Sequence, residues 1–140
     1  MRRAIIGLGV SLLALVAVLV ASAATSATKF EVALKGSNES PAAAASNKGT
    51  VELTLNAKTG KVCWDFKLGH IDGKPNQAHI HKGRRGVSGN VVVPLGATYK
   101  REGCTTASKA LVRSILRSPG GFYVNVHNAK HPLGAMRGQL

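Results

Sequence analysis

Alternation of apolar and polar residues is the feature that most constrains the fold of this chain. Apolar side chains at Phe30, Val32 and Leu34 alternate with polar or small residues, and the same period of two runs through residues 51–55 and 62–68. A period of two places the apolar side chains on one face of an extended strand, whereas a helix would scatter them. These segments therefore predict strands with one buried face.

Turn residues separate the alternating segments. Gly60 follows residues 56–59 and leads directly into the third segment, which predicts a hairpin. Gly, Pro, Asn and Ser also punctuate the rest of the chain, as turns require. Further strands are predicted at residues 77–81, 90–95, 122–127 and 135–140.

Two segments lack the period of two. Residues 107–117 place large apolar side chains on one side of a helical projection and basic side chains on another, which predicts a short amphipathic helix. Thr105 or Thr106 is positioned to cap its start, and Pro119 with the two glycines after it ends it. Residues 36–48 are rich in Ala, Ser and Asn and predict a surface loop.

About seven short strands and one short helix indicate an all-β fold. The expected architecture is an antiparallel β-sandwich of immunoglobulin-like or superoxide-dismutase-like type. Closure into a small barrel stays an alternative, because strand pairing is not visible in one sequence. Trp64 and Phe66 share a strand side with Val62 and Leu68, so their side chains are expected in the core.

The N-terminal segment has the succession of basic, apolar and small residues that is typical of an export signal. Arg2 and Arg3 precede a predominantly apolar run at residues 4–20, and small residues follow it. Cleavage after Ala23 fits the small-x-small rule, with cleavage after Ala27 as the alternative. A retained membrane anchor is the competing interpretation, but a run of this length is marginal for a hydrocarbon core of about 30 Å.

Removal of residues 1–23 as a signal peptide leaves residues 24–140 as one β-sandwich domain. The protein is then expected to be secreted or held in the cell envelope, with no transmembrane span after signal removal.

Two cysteines, Cys63 and Cys104, are expected to pair as a disulfide in an exported chain. Two free buried thiols are the alternative. Cys104 is expected in the loop before the helix.

Four of the five histidines fall in two short clusters. His79 and His81 are two residues apart on a predicted strand, so both imidazoles leave the same face. His127 ends another predicted strand, and His131 follows in the next loop. Neutral imidazole is a good ligand for copper or zinc. The four histidines therefore predict a copper or zinc site, with a hydrogen-bonding scaffold as the alternative.

Three motifs occur in order along the chain: Ala-His-Ile-His-Lys-Gly at residues 78–83, Tyr-Val-Asn-Val-His at residues 123–127, and Gly-Ala-Met-Arg-Gly-Gln-Leu at residues 134–140. In these motifs the sequence resembles the CHRD domain, named from chordin, and the resemblance covers residues 30–140. The resemblance implies an extracellular module with a β-sandwich fold. The leading hypothesis is therefore a secreted binding or surface module without enzymatic activity. An extracellular protein partner is compatible with it, although chordin's own growth-factor partner is not carried over.

The segment from His79 to His81 also resembles the His-x-His strand that supplies copper ligands in copper-zinc superoxide dismutase. This resemblance implies an alternative function as a copper-dependent oxidoreductase. Residues 82–96 contain no His or Asp, so the zinc half of such an enzyme is absent from this segment. A copper site would need a further ligand, for which His127 or His131 is the candidate.

Other chemistries find little support in the sequence. The six acidic residues sit singly on separate predicted elements, so a paired-carboxylate mechanism has no obvious geometry. No Gly-x-Ser-x-Gly motif is present. Gly83, Gly86 and Gly89 are expected to be turn glycines, because no helix with a Gly-Lys-Ser/Thr start follows them. No catalytic residue and no specific nucleic-acid partner is predicted.

The charge balance is strongly basic, at +13 for the whole chain, and falls to about +11 without Arg2 and Arg3. Such an excess attracts anions. Arg137 is expected to be a structural ion-pair partner, with an anion contact as the alternative. Six other cations are expected to hold anionic cell-envelope polymers or lipid headgroups, unless they form only a solvated surface: Lys82, Arg84 and Arg85 after the histidine strand, and Lys109, Arg113 and Arg117 on the helix.

Overall fold

The computed structural model describes residues 27–140, so the predicted signal peptide and its cleavage after Ala23 lie outside the described residues. Short 3₁₀ turns at Gly36–Asn38 and Pro119–Gly121 accompany eight strands and one helix. In chain order these are β1 (Thr28–Lys35), β2 (Lys48–Asn56), β3 (Lys61–His70), β4 (Pro75–Lys82), β5 (Val91–Pro94), β6 (Glu102–Thr106), α1 (Lys109–Arg117), β7 (Phe122–Asn128) and β8 (Met136–Gln139).

The strands pair antiparallel in the order β5, β4, β7, β8, β1, β2, β3, β6. One half of this sheet contains β1, β2, β3 and β6, and the other contains β4, β5, β7 and β8. The halves meet where Lys35 of β1 lies opposite Arg137 of β8. The expectation of an antiparallel all-β fold with one short helix is confirmed.

The apolar faces of both halves enclose a shared core. Trp64 and Phe66 are buried in it, as predicted from their strand side. From the other half, Ile80 and Val124 contribute fully buried side chains. Burial of one such side chain stabilises the fold by about 1.5–3 kcal/mol. The apolar residues that recur with a period of two in the sequence are therefore the ones that form this core.

The connection from β5 to β6 links the two halves a second time. The backbone N–H of Tyr99 donates to the carbonyl of Asn76 in β4 (2.8 Å), and the N–H of Phe66 in β3 donates to the carbonyl of Arg101 (2.7 Å). The ring of Tyr99 packs on Phe66 with 5.6 Å between centroids. The sheet thus folds over its core with partial closure, between a sandwich and a barrel.

Two predictions about the region before the helix are wrong in detail. Cys104 lies in the strand β6, directly opposite Cys63 of β3, rather than in a loop. The sequence predicted seven strands, and β6 was not among them because its sequence, Glu-Gly-Cys-Thr-Thr, has no apolar alternation. The pairing of the two cysteines as a disulfide is confirmed. The residue that caps the helix is Ser108, whose hydroxyl accepts from the N–H of Leu111 (3.1 Å), because the two threonines belong to β6.

The segment between β1 and β2 differs from the surface loop that its composition predicts. Most of it lies outside regular strands, but Glu39 and Asn47 are buried, at 7% and 0% exposure of the whole residue. Glu39 lies beside Arg137 of β8, and the side-chain amide of Asn47 donates to the carbonyl of Ala135, just before β8, at 3.1 Å. The loop therefore covers part of the fold instead of projecting from it.

Candidate metal centre

Three histidines lie together on the face of β4 and β7 that points away from the core. His79 and His81 alternate along β4 with the core residue Ile80, and His127 lies near the end of β7. The antiparallel register places His79 opposite Asn125 and His81 opposite Tyr123. Strand pairing therefore brings the two sequence clusters to one place.

One ring nitrogen from each of these histidines lies within 4.8 Å of the others. Nδ1 of His79 is 3.1 Å from Nε2 of His127. Nitrogens bound to one tetrahedral zinc at 2.0–2.1 Å lie about 3.4 Å apart. Small ring movements would thus place all three on one ion. His81 and His127 are buried and His79 is half-buried, which leaves the centre open to solvent on one side.

Backbone carbonyls fix the tautomers of the two buried histidines. Nδ1 of His81 lies 2.8 Å from the carbonyl oxygen of Gly89, and Nδ1 of His127 lies 3.0 Å from that of Pro132. A carbonyl can only accept, so each Nδ1 carries the proton and each Nε2 is unprotonated and can act as an acceptor or a metal ligand. Imidazoles that bind metals are commonly held in this way. In this state the N–H at Nδ1 of His79 donates to Nε2 of His127.

Two buried polar atoms at the centre have no hydrogen-bond partner among the described residues. They are Nε2 of His81 and Oδ1 of Asn125, the residue opposite His79. A buried polar group left without a partner costs roughly 1–3 kcal/mol. A metal ion would use the lone pair of the His81 nitrogen. The donor set and this unused nitrogen therefore fit a metal ion.

The surroundings favour the neutral form of His79 and His127. Burial lowers the pKa of His79 to about 4, and the nearby His127 and His81 act in the same direction. Burial also lowers the pKa of His127, against the hydrogen bond to Pro132, which raises it. Neutral imidazole is the form that binds metals. The ligand form is therefore present at neutral pH.

His131 lies outside the cluster of three. Its Nε2 donates to Oδ2 of Asp72 at 2.9 Å, and Asn47 donates to the other carboxylate oxygen at 2.7 Å. The hydrogen bond from His131 is the largest cause that lowers the pKa of Asp72 to about 2. The structure thus does not bring His131 together with the other three histidines. It ties the loop after β7 to the loop before β4.

Arg137 forms a buried ion pair, as predicted, and its partner is Glu39. The Nε of the guanidinium lies 3.7 Å from Oε2 of the carboxylate, and both side chains are less than a twentieth exposed. Burial raises the pKa of Glu39 to about 7, although Arg137 acts in the opposite direction. The guanidinium also donates to the carbonyls of Asn38 and Val87. Arg137 thus holds two loops against the sheet.

The six cations predicted to bind anions are all exposed. Within residues 27–140 none of them lies in an ion pair with a carboxylate. The N–H of Gly83 donates to the carbonyl of Gly121 at 2.8 Å, which ties the loop after β4 to the turn after the helix. We call the combined set the basic surface: Lys82, Arg84, Arg85, Lys109, Arg113 and Arg117.

Two contributions to the centre have no signal in the sequence. Gly89 and Pro132 act through their carbonyl oxygens, which every residue possesses, so residue type does not reveal them. Tyr123 and Asn125 could be placed on the face of His127 from the strand period alone. Their contacts with His81 and His79 required the register of β4 and β7.

A family model described as the CHRD domain matches residues 30–140. No curated protein and no solved structure gives a match. Across residues 27–140, no helix combines the length and apolarity that crossing a membrane would require.

Proposed function

The chain belongs to the CHRD-domain family, and from this premise we propose that it is an extracellular binding or surface module that holds one copper or zinc ion at His79, His81 and His127. The CHRD domain and the disulfide are consistent with an extracellular location.

The buried and unpartnered Nε2 of His81 is the observation that carries this proposal. If the three histidines were only a hydrogen-bonding scaffold, this nitrogen would be expected to accept a bond. Instead, its ring is fixed through Nδ1, and the free nitrogen belongs to a cluster of three. A ligand nitrogen held ready in this way is stabilised when a cation binds.

The donor set favours copper over zinc. Three imidazoles provide neutral nitrogen ligands, and the cluster contains no carboxylate. At a given nitrogen site, divalent copper binds more tightly than divalent zinc. His79 is half-buried, so the ion would keep a position open to solvent.

Titration of the metal-free domain with copper and with zinc tests the proposal. We expect one ion per chain, with binding lost in His79→Ala and His127→Ala because each substitution removes one of three ligands. His70→Ala is the matched control, since His70 is an exposed histidine at the end of β3. Unchanged copper affinity in both cluster variants would leave the histidines as a scaffold.

A fourth-ligand role for His131 is tested in the same titration. The hydrogen bond to Asp72 occupies Nε2 of His131 in the structure. We therefore expect His131→Ala to keep most of the copper affinity. A loss as large as that of His127→Ala would show that His131 turns inward when metal binds.

The open side of the centre keeps the copper-dependent oxidoreductase as a second candidate. An enzyme of this class needs a redox metal with an accessible coordination position. The measurement is catalysed removal of superoxide by copper-loaded protein, compared with His81→Ala at equal total copper. Activity no greater than that of the variant would exclude this candidate and leave the binding module standing.

The basic surface supports a proposal about partners. Its six cations have no carboxylate partner within the described residues, and its two parts are tied together at Gly83 and Gly121. We propose that it binds anionic cell-envelope polymers or lipid headgroups.

The proposed mature protein comprises residues 24–140, after removal of residues 1–23 as a signal peptide.

A further inference from the structure

We infer that Tyr123 and Arg137 are positioning residues of the metal centre, which hold His81 in the tautomer and orientation that present Nε2 to the ion. The inference rests on the proposed metal function of the three histidines. It gives a role to two side chains from the Tyr-Val-Asn-Val-His motif and the C-terminal motif that neither ligate the ion nor form the core.

Tyr123 stacks on His81 across the pairing of β4 and β7. The two rings are almost parallel, at 9°, with 4.8 Å between their centroids. Tyr123 is 3% exposed, so the ring has little freedom to move away. This flat contact restricts the imidazole plane of His81 to one orientation.

Gly89 joins the same two rings through its backbone. Its carbonyl accepts from Nδ1 of His81 at 2.8 Å, and its N–H donates to the hydroxyl oxygen of Tyr123 at 3.2 Å. A side chain at this position would collide with the carbonyl oxygen of Lys82, so the close approach requires glycine. Tyr123 therefore helps to fix the carbonyl that fixes the His81 tautomer.

Arg137 supports both parts of this arrangement. Its Cζ lies 4.6 Å from the centroid of the Tyr123 ring. Because β7 lies between β4 and β8, His81 and Arg137 reach the Tyr123 ring from the two neighbouring strands. The guanidinium also donates to the carbonyl of Val87 at 3.1 Å, two residues before Gly89. One cation thus holds the tyrosine and the loop.

The inference predicts graded losses of copper affinity. Loss of a group that orients a metal ligand typically lowers metal affinity 10- to 100-fold. We expect about this loss in Tyr123→Leu, which removes both the stack and the hydroxyl. Tyr123→Phe keeps the ring and should lose less. Arg137→Gln is combined with Glu39→Gln, so that no buried carboxylate loses its partner, and should also weaken binding.

The experiment reads the imidazole tautomer as well as affinity. Nitrogen-15 NMR of the metal-free protein reports which ring nitrogen of His81 carries the proton. We expect Nδ1 to be protonated in the parent protein and a mixture of tautomers in Tyr123→Leu. Tyr99→Leu is the matched control, because Tyr99 is a half-buried tyrosine that packs on Phe66 away from the histidines.

The outcomes separate this inference from the metal proposal. If the parent protein binds no copper or zinc, the metal proposal fails, and the tautomer measurement still decides whether Tyr123 orients His81. If copper binds but Tyr123→Leu stays within about twofold of the parent affinity with the same tautomer, the positioning role is refuted. Should Tyr123→Leu fail to fold, Tyr123→Phe and the Arg137 double variant give the same readouts.

Discussion

Burial determines the charge of Glu39. Its carboxylate lies beside Arg137, yet burial is the larger effect and raises its pKa from 4.5 to about 7. Gly134 allows this placement, because a side chain there would overlap the carboxylate of Glu39. Oε1 has no partner among the described residues. The folded protein therefore holds a proton on Glu39 more tightly than the unfolded chain does.

This difference predicts a pH dependence of stability. Between pH 4.5 and about 7 the folded state binds more protons at Glu39 than the unfolded state, so the free energy of unfolding falls as pH rises. The slope approaches about 1.4 kcal/mol per pH unit for one group. Glu39→Gln should remove this contribution. The measurement is urea unfolding of metal-free protein at several values between pH 5 and 7.

Comparison with the variant is essential, because His79 acts in the opposite direction. The pKa of His79 is about 4 in the folded protein and 6.5 in the unfolded chain. Its contribution to the free energy of unfolding is therefore lost as pH falls from 6.5 to about 4. Subtraction of the Glu39→Gln profile isolates the carboxylate. Parallel profiles for the parent protein and the variant would show that the pKa of Glu39 does not change on folding.

The residues of the centre were predictable only in part. The common face of His79 and His81 follows from the strand period. The approach of His127 depends on the register of β4 and β7, which one sequence does not contain. His131 was a candidate ligand because it follows His127 by four residues. In the structure its Nε2 donates to Asp72, 59 positions earlier in the sequence. Local patterns cannot reveal such distant competition.

At the scale of elements, β6 shows how a short strand is held at the edge of the sheet. Its five residues have no fully buried side chain, and among residues 27–140 it pairs only with β3. The disulfide from Cys63 to Cys104 joins these two strands at directly opposite positions. Since local packing contributes little, the covalent link is expected to be important for this edge.

We therefore predict a large loss of stability when the disulfide is removed. The cysteines are 41 positions apart, and closing such a loop restricts the unfolded chain by about 4 kcal/mol on the chain-entropy model. The double variant Cys63→Ser, Cys104→Ser should show this decrease in the free energy of unfolding. Neither residue is buried, so serine fits at both positions. A midpoint equal to that of the parent protein would contradict the prediction.

Elements with a strong local signal were predicted well, and those fixed by distant contacts were not. The three alternating segments became β1, β2 and β3 because each buries one face in the core. β6 and the buried side chains of Glu39 and Asn47 depend on partners far along the chain. Composition alone predicts such segments to be loops, because it shows that the residues are polar but not which distant residues pair with them.

For the whole molecule, export is a prediction that the described residues do not test. The apolar run after Arg2 and Arg3 and the small residues around Ala23 predict that the mature protein begins at Ala24. Cleavage after Ala27 would give a start at Thr28. Intact-mass measurement of the protein outside the cytoplasm distinguishes the two. A membrane-embedded species that still carries Met1 would refute export by a cleaved signal.

Charge is distributed unevenly over the molecule. On the half formed by β1, β2, β3 and β6, carboxylates pair with local cations, as Glu52 does with Lys29 (2.8 Å) and Asp65 with Arg101 (3.0 Å). No acidic residue follows Glu102 in the sequence. Within the described residues, no cation of the basic surface is in an ion pair with a carboxylate. Its field is available to an anionic partner.

The final prediction is that both parts of the basic surface bind the same anionic partner. A cation near an anionic lipid surface contributes about 1 kcal/mol, so loss of two should weaken binding roughly 10- to 30-fold. Arg84→Gln with Arg85→Gln changes the loop, and Arg113→Gln with Arg117→Gln changes the helix. Lys48→Gln with Lys67→Gln removes the same charge from exposed positions on β2 and β3.

Co-sedimentation with anionic phospholipid vesicles and with cell-wall fragments measures the effect. Screening shortens the reach of charges from about 10 Å at 0.1 M salt to about 3 Å at 1 M, so binding should fall steeply over this range. The loop and helix variants should each bind more weakly than the lysine control, because the bond from Gly83 to Gly121 ties their segments together. Binding that is insensitive to salt, or equally weak in all three double variants, would show that the basic surface is only solvated.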